Sequence, residues 1–137
     1  MTKPLTAHAP LRAALLGYGF AGKVFHAPLV RTVEGLTLRV VASSRPDDVR
    51  AEFPNVEIMP SAFDAATHPD VDLVVVATPN ETHVPLAEAA LRAGKHVIVD
   101  KPFTVTLAEA RSLVALASGG GCSRCYTTAD GTVTSLR

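Results

Sequence analysis

The stretch 11-LRAALLGYGFAGKVFHAP-28 places a glycine-rich turn directly after an apolar run. The first six residues are mostly apolar, which is typical of a strand covered on both faces of a sheet. The turn has the pattern G-x-G-x-x-G and opens a helical pattern, the context in which it binds a dinucleotide. There Gly17 permits a tight turn, Gly19 lets the backbone approach a pyrophosphate, and Gly22 lets helix and strand pack closely.

We therefore predict that the whole turn binds a dinucleotide cofactor. Its cofactor-binding residues are Gly17, Tyr18, Gly19, Phe20, Ala21 and Gly22. A glycine-rich turn in an unrelated sheet protein is the alternative interpretation. Pro28 has no N–H to donate to Val24, so we expect it to bend or interrupt the helix that follows.

The composition is that of an ordinary globular domain. The chain has 137 residues, 47% of them hydrophobic and 19% charged, which is enough for one core. Thirteen basic residues balance thirteen acidic ones, so the chain carries no charge signature for nucleic acid or an anionic membrane. Residues 1–10 lack the apolar core of a signal peptide, and no apolar run is long enough to span a bilayer. We therefore expect a cytoplasmic protein with no membrane or nucleic-acid partner.

Four further apolar runs predict four more strands. They are LTLRVVAS from Leu36, VEIM from Val56, DLVVVAT from Asp72 and HVIVD from His96. Helical patterns lie between them, and strands that alternate with helices at this spacing run parallel through right-handed crossovers. The predicted fold is α/β, a doubly wound parallel (Rossmann) sheet of about five strands in the order 3-2-1-4-5, with helices on both faces.

Two of the predicted helices have recognisable ends. Thr82 is a candidate N-cap for a helix that has Pro85 in its first turn and ends at Gly94. Thr106 and Glu109 have the spacing of a capping box, in which each side chain bonds to the backbone N–H of the other residue. The buried stripe predicted for this last helix is Leu107, Ala110 and Val114.

The end of the second strand indicates which dinucleotide is bound. An NAD-binding unit has Asp or Glu there to bind the ribose hydroxyls. This chain instead has Ser43, Ser44 and Arg45, with no carboxylate in the stretch Ser43 to Pro46. Two hydroxyls and a guanidinium suit a 2′-phosphate, so we predict NADP rather than NAD. Arg45 as an ordinary solvated loop residue is the alternative.

Three motifs in the same order resemble those of the glucose–fructose oxidoreductase and inositol dehydrogenase (Gfo/Idh/MocA) family. They are GYGFAGKVFHAP, the segment ATPNETH from Ala77 to His83, and the segment DKP from Asp100 to Pro102. The family carries Glu-Lys-Pro at the last motif, often varied to Asp-Lys-Pro as here. The resemblance covers residues 11–117 and is greatest to NADP-dependent members that act on inositols or related sugars.

The resemblance implies roles for residues that follow the fourth and fifth strands. The residues expected to line the cofactor are Thr78, Pro79, Asn80 and His83. Lys101 would be the catalytic lysine, in contact with both nicotinamide and substrate, orienting a sugar hydroxyl as the hydride leaves. Pro102 would hold the loop, with its peptide isomer left open. His83 as a capping or surface residue and Lys101 as a solvated lysine are the alternatives, and His26 is expected to pack rather than to touch ligand.

The last stretch of the chain breaks the alternation of strands and helices. Family members continue into a sixth strand and a large sheet domain, which supplies a catalytic histidine and most of the substrate pocket. They enter that domain through a stretch such as GRVLSVFHNRRWDSDFL. Degenerate codons for Gly119 to Arg137, read one base out of frame, admit GRVLSVLHNRRWDSDFL. We therefore hypothesise a frameshift near Ser118.

This hypothesis sets the expected domain organisation. Residues 1–10 would be a flexible leader, 11–118 the Rossmann domain, and 119–137 an unstructured, out-of-frame tail. The fifth strand would then be an unpaired apolar edge. Cys122 and Cys125 would be an accident of the frame rather than zinc ligands, because zinc takes four ligands and we expect no metal site.

The sequence thus predicts the cofactor-binding half of an oxidoreductase. The full-length parent would transfer a hydride between a sugar or polyol and nicotinamide, as a homo-oligomer assembled through the missing domain. The chain alone is expected to bind NADP and to turn over nothing, because the family's catalytic histidine is absent. A non-catalytic dinucleotide-binding or sensor module and a non-functional truncated product are the alternatives.

Overall fold

The computed structural model describes residues 9–119, 125–129 and 132–136, and the strands in these ranges form one sheet. The strands are β1 (Leu11–Leu16), β2 (Leu36–Ala42), β3 (Glu57–Met59), β4 (Leu73–Val76), β5 (His96–Val99), β6 (Cys125–Ala129) and β7 (Thr132–Leu136). Their order is β3-β2-β1-β4-β5-β6-β7. Neighbours from β3 to β6 run parallel, and β7 runs antiparallel to β6.

The five predicted strands and their order are confirmed. The apolar runs form strands because helices cover both faces of the sheet, so consecutive side chains are buried on opposite sides. All four residues of β4 are buried, and so are the last four of β1. Arg12 and Asp72 align the starts of β1 and β4: the Arg12 amide donates to Asp72 Oδ2 (2.9 Å), and the Asp72 amide donates to the Arg12 carbonyl (2.8 Å).

Helices lie on both faces of the sheet, as predicted for a doubly wound fold. They are α1 (Ala27–Thr32), α2 (Pro46–Glu52), α3 (Ala62–Ala66), α4 (His83–Arg92) and α5 (Leu107–Gly119). A hydrophobic cluster lies between the sheet and the helices on each face. One cluster contains Val49 of α2 and Leu15 of β1, and the other contains Leu86 of α4, Leu113 of α5 and Leu16 of β1. The side chains of Leu15 and Leu16 thus pack on opposite faces of the sheet, as the two-residue repeat of a strand requires.

The helix after the glycine turn is interrupted as expected. A π-helical turn, Gly22–His26, precedes α1 and is closed by a hydrogen bond from the Ala27 amide to the Gly22 carbonyl. Pro28 follows at once, and because it lacks the N–H that an α-helix would direct at Val24, the wider turn costs no bond there. Thr32 Oγ1 donates back to the Pro28 carbonyl (3.0 Å) in the last turn of α1.

The predictions for the ends of α4 and α5 are confirmed only in part. The Thr106 amide donates to Glu109 Oε1 (3.0 Å) and the Glu109 amide donates to Thr106 Oγ1 (3.2 Å), which is the predicted capping box. Thr82 lies at the N-cap of α4, but its hydroxyl donates to the Pro79 carbonyl and does not cap the helix. The predicted stripe of α5 is wrong at Leu107, which is exposed. Ala110 and Val114 are partly buried, and the fully buried residues of this helix are Leu113 and Ala117.

The expected unstructured tail and the expected unpaired edge are both wrong. Residues 125–129 form β6, which pairs with β5 in the register Val97↔Cys125 to Val99↔Thr127, and β7 then pairs with β6. An apolar strand with open N–H and C=O groups offers a template for another strand, and the β-branched residues of the last segment suit that conformation. Cys125 is fully buried in the cluster that also holds Leu113. Residues 1–8, Cys122 and the stretch 120–124 lie outside the described residues, so the leader stays a prediction.

Candidate dinucleotide-binding site

The glycine turn has the backbone that the motif predicts. Gly17 has φ +94°, a conformation that side chains other than glycine rarely adopt, and a Cβ there would lie 2.6 Å from the Ala77 carbonyl oxygen. A Cβ on Gly22 would collide with the Gly17 carbonyl oxygen. A Cβ on Gly19 would meet nothing within 4 Å. The first and third glycines thus allow close packing, and the second faces open space beside the sheet, where a ligand can reach the backbone.

A pocket opens at the carboxyl ends of β1, β2 and β4. Ligands of open α/β sheets bind at this edge, next to the strand where the chain order reverses. The predicted site residues that the structure brings together in its lining are Gly17, Tyr18, Gly19, Ser43, Ser44, Arg45 and Thr78. Its remaining lining residues are Ala42, Pro60 and Ala62, which the sequence analysis did not find.

The carboxyl end of β2 contributes two hydroxyls and a guanidinium to the pocket lining, but no carboxylate. The pocket lining contains Ser43, Ser44 and Arg45 and no Asp or Glu. The Arg45 amide donates to Ser43 Oγ (3.0 Å), so the serine shapes the turn. The Arg45 side chain is 67% exposed, and its Nε lies 3.5 Å from Oδ2 of Asp48 in the first turn of α2. An exposed pair at this distance is weak, so the guanidinium can turn toward an anion in the pocket.

Tyr18 lines the pocket mainly through its backbone. Its side chain belongs to the hydrophobic cluster with Leu15 and Val49, and only 3% of the residue is exposed. Among the described residues, its hydroxyl has no partner with hydrogen-bond geometry, although the Glu52 carboxylate is near enough to act on it. Burial and the negative charge of Glu52 raise the pKa of this phenol. Tyr18 is therefore a neutral packing residue that holds the turn against α2.

Some predicted residues lie outside the pocket lining. They are Phe20, Ala21, Gly22, Pro79, Asn80, His83 and Lys101. Phe20 is 74% exposed and stacks edge-to-face on Phe25, with the ring centroids 5.6 Å apart. Both rings belong to the helical segment that begins at the glycine turn, so they form an apolar surface beside the pocket.

The residues after β4 are joined to those after β5 by a histidine. His83 is 1% exposed, and its Nε2 lies 2.9 Å from the Thr78 carbonyl oxygen. Its Nδ1 lies 2.8 Å from the Pro102 carbonyl oxygen. The hydroxyls of Thr82 and Thr78 are also hydrogen-bonded to each other (2.6 Å). Both ring nitrogens of His83 thus lie close to backbone carbonyl oxygens, and its expected place in the lining of the cofactor stays a prediction.

Lys101 lies on an ordered turn after β5. The residue is exposed, its amide donates to Asp100 Oδ1 (2.9 Å), and the Lys101–Pro102 peptide bond is cis. Asp100 Oδ2 lies 3.5 Å from Nε2 of His26, a residue that the sequence analysis left outside the site. The sequence predicts only that His26 packs, and the tertiary structure places it beside Asp100. No cluster of three or more metal-binding side chains is present among the described residues.

Comparisons with known proteins agree with this geometry. The family model described as "Oxidoreductase family, NAD-binding Rossmann fold" matches residues 11–127. The uncharacterized oxidoreductase YdgJ of Escherichia coli is 51% identical over 111 residues, which is 81% of this chain and 32% of that protein. The scyllo-inositol 2-dehydrogenase (NADP(+)) IolW of Bacillus subtilis is 34% identical over 103 residues, which is 75% of this chain and 29% of that protein.

A solved structure of an oxidoreductase is also similar to this chain. An oxidoreductase from Klebsiella pneumoniae is 53% identical and matches with a TM-score of 0.83, over 85% of this chain and 34% of that one. The chain therefore spans about a third of the length of the relatives it matches. None of the helices in the described ranges has the length and apolar character needed to cross a membrane.

Proposed function

The chain belongs to the Gfo/Idh/MocA oxidoreductase family with an NAD-binding Rossmann fold, and we propose that it binds NADP(H) in preference to NAD(H). The observation that carries this preference is the pocket lining at the end of β2, where Ser43, Ser44 and Arg45 stand without any carboxylate. A 2′-phosphate needs donors and positive charge, and an acid at this place would repel it. The name of the Bacillus subtilis relative, an NADP(+)-dependent enzyme, agrees with this preference.

The glycine turn would hold the pyrophosphate. Its residues fit that group because Gly19 leaves open space over the backbone, while Gly17 and Gly22 allow the turn to lie flat against β1 and β4. Backbone N–H groups at the start of a helix, together with its dipole, favour an anion at this position. Thr78, at the carboxyl end of β4, would contact the cofactor from the opposite wall of the pocket.

In the full-length parent, we propose that Lys101 acts at the reacting end of the cofactor. The bound nicotinamide supplies hydride acceptance and donation at one ring carbon. Lys101 is exposed next to this edge of the sheet, and its ammonium would orient a substrate hydroxyl and stabilise negative charge on that oxygen. Pro79 and Asn80, exposed on the turn after β4, would line the cofactor next to Thr78.

The substrate class is a sugar or polyol of the inositol kind, which the Bacillus subtilis relative's name supports. The family's second domain carries the proton-transferring histidine and most of the substrate pocket. A chain of these 137 residues alone would therefore bind the cofactor without turnover. The parent would assemble into an oligomer through that second domain.

We also propose that residues 119–137 are read out of frame in the gene or its sequence. The proposal is supported by the shifted frame, which admits a stretch close to the family's own continuation into the second domain. Resequencing the locus around codon 118 tests this. A continuous shifted frame downstream supports the proposal, and a verified sequence without one contradicts it.

Titration of the purified chain with NADPH and NADH tests the cofactor proposal, with binding followed by the fluorescence of the reduced nicotinamide. We expect NADPH to bind at least about tenfold more tightly than NADH, a difference of ~1.4 kcal/mol. Equal affinities would contradict the preference, and no binding of either nucleotide would contradict the proposed function as a whole.

A further inference from the structure

Two polar residues are buried in the part of the chain that the structure describes, and both are histidines. His26 is 9% exposed and His83 is 1% exposed. They come from different faces of the fold, since His26 ends the π-helical turn before α1 and His83 begins α4. Buried polar side chains cost free energy unless they are hydrogen-bonded, so their partners indicate what they do.

Both histidines contact the short segment that carries Lys101. His26 Nε2 lies 3.5 Å from Asp100 Oδ2, and His83 Nδ1 lies 2.8 Å from the Pro102 carbonyl oxygen. The residues on either side of Lys101 are therefore each held by a buried histidine. These contacts restrain the backbone on both sides of Lys101. The lysine itself is exposed, so its side chain stays accessible.

The contact with His26 passes through one carboxylate. Asp100 Oδ2 faces the imidazole, and Oδ1 accepts a hydrogen bond from the Lys101 amide (2.9 Å). The Asp100 amide in turn donates to the Val76 carbonyl at the end of β4 (2.9 Å). His26 thereby couples the helix of the glycine turn to the backbone of Lys101.

The contact with His83 joins two loops. Its Nε2 lies 2.9 Å from the Thr78 carbonyl oxygen, so one ring lies between the ends of β4 and β5. A carbonyl oxygen only accepts, so the ring nitrogen that carries the N–H donates to the carbonyl on its side, and the ring packs between the two loops. A glutamine at this position could donate from its amide nitrogen to one of the two carbonyls, while its amide oxygen, an acceptor, would face the other without bonding to it.

We propose that His26 and His83 are positioning residues that bracket Lys101. His26 acts through the Asp100 carboxylate and His83 through the Pro102 carbonyl, and together they hold the backbone of the lysine in place after β5. The bracket is a property of this chain without cofactor. Its consequence for binding rests on the proposed function, in which Lys101 contacts the nicotinamide.

Amide hydrogen exchange by NMR on the full chain tests the bracket, with the Lys101 amide as reporter and the amides of Val74 and Val97 in the sheet as internal references. In His83→Phe and His26→Phe we expect exchange at Lys101 to be about tenfold faster or more, with the sheet amides unchanged. His83→Gln should give a smaller acceleration than His83→Phe. Unchanged exchange at Lys101 in folded variants would overturn the proposal.

A matched control and a second variant keep the test interpretable. His68→Phe removes a comparable histidine–carboxylate contact, the 3.0 Å pair of His68 Nε2 with Glu57 Oε2 near β3, and should leave Lys101 exchange unchanged. Asp100→Asn keeps a side-chain oxygen that can accept from the Lys101 amide and removes the negative charge that faces His26. It should accelerate exchange at Lys101 even if a histidine variant does not fold, and failure to do so would contradict the His26 arm.

NADPH titration of the same variants separates this inference from the proposed function. Faster exchange together with weaker NADPH binding supports both. Faster exchange with unchanged NADPH binding supports the bracket and contradicts a contact between Lys101 and the cofactor. Weaker binding with unchanged exchange overturns the bracket and leaves the proposed function standing.

Discussion

Gly17 lies directly against the carbonyl oxygen of Ala77, so that even a methyl group at Gly17 would come within 2.6 Å of that oxygen. The contact joins the turn after β1 to the end of β4, the two strands between which the chain order reverses. It explains why this turn needs a glycine for both its positive φ and its packing. The pocket for the cofactor depends on these two backbones lying side by side.

Gly17→Ala should therefore displace the turn and abolish measurable NADPH binding. We expect the variant also to melt at a lower temperature, because both the left-handed backbone and the clash oppose the native conformation. Gly35→Ala is the matched control, since Gly35 has φ +88° but a Cβ there would meet nothing within 4 Å. The control should lose some thermal stability and keep its NADPH affinity. Retention of NADPH binding by Gly17→Ala would contradict the proposed role of the turn.

Arg45→Ala should weaken NADPH binding and leave NADH binding nearly unchanged. The guanidinium would bind the 2′-phosphate, a group that NADH lacks, and loss of a charge-assisted pair corresponds to roughly a 10- to 100-fold loss of affinity. Arg50→Ala is the control, because Arg50 is an exposed arginine on α2 whose guanidinium pairs with Asp47 at 3.6 Å. Equal losses for the two nucleotides in Arg45→Ala would show that Arg45 does not read the 2′-phosphate.

Asp72 should contribute to stability at neutral pH and stop doing so in acid. Its hydrogen bonds with the Arg12 side chain lower the pKa of the Asp72 carboxyl in the folded chain. A carboxyl with a lower pKa in the folded state stabilises above its unfolded pKa, and that stability is lost as the pH falls through the folded value. Asp72→Asn should therefore lower Tm by on the order of a few degrees at pH 7, and by less at low pH.

Asp47→Asn is the comparison for this measurement, because the Asp47 side chain is 99% exposed. It should change Tm little at either pH, since exposed ion pairs contribute little. A loss of Tm in Asp72→Asn that is as large in acid as at pH 7 would mean that the ion pair with Arg12 is not its cause.

Cys125 should resist thiol reagents in the folded chain. Burial in the cluster with Leu113 raises the pKa of its thiol to about 11, so almost none is thiolate at neutral pH. In a Cys122→Ser variant, which leaves Cys125 as the single cysteine, alkylation by iodoacetamide should be slow in buffer and fast in guanidinium chloride. Fast alkylation in buffer would show that β6 is not packed against β5.

The sequence predicts the parts of the fold that short-range patterns control. Apolar runs and glycine positions locate β1 to β5, and the spacing of Thr106 and Glu109 correctly predicts the capping box. Parallel strands bring their carboxyl ends to one edge, which explains why the loop after β1 and the residues Ser43 to Arg45 line one pocket.

What the sequence does not reveal depends on contacts between distant segments. Pro60 and Ala62 enter the pocket because β3 lies beside β2, and nothing in their own neighbourhood indicates it. The burial of His26 and His83 follows from the position of the segment after β5. The last strands do carry a local signal, an Asp-Gly pair between β-branched stretches, but the family's pattern gives no indication of them.

The central claim is that the glycine turn and Arg45 form one NADP-binding site, and a crystal structure of the chain with NADPH tests it most directly. The account predicts the pyrophosphate against the backbone of Gly17 to Gly22 and the 2′-phosphate within hydrogen-bonding distance of Arg45 and Ser43 or Ser44. A nucleotide bound elsewhere, or bound here with its 2′-phosphate directed away from Arg45, would contradict it.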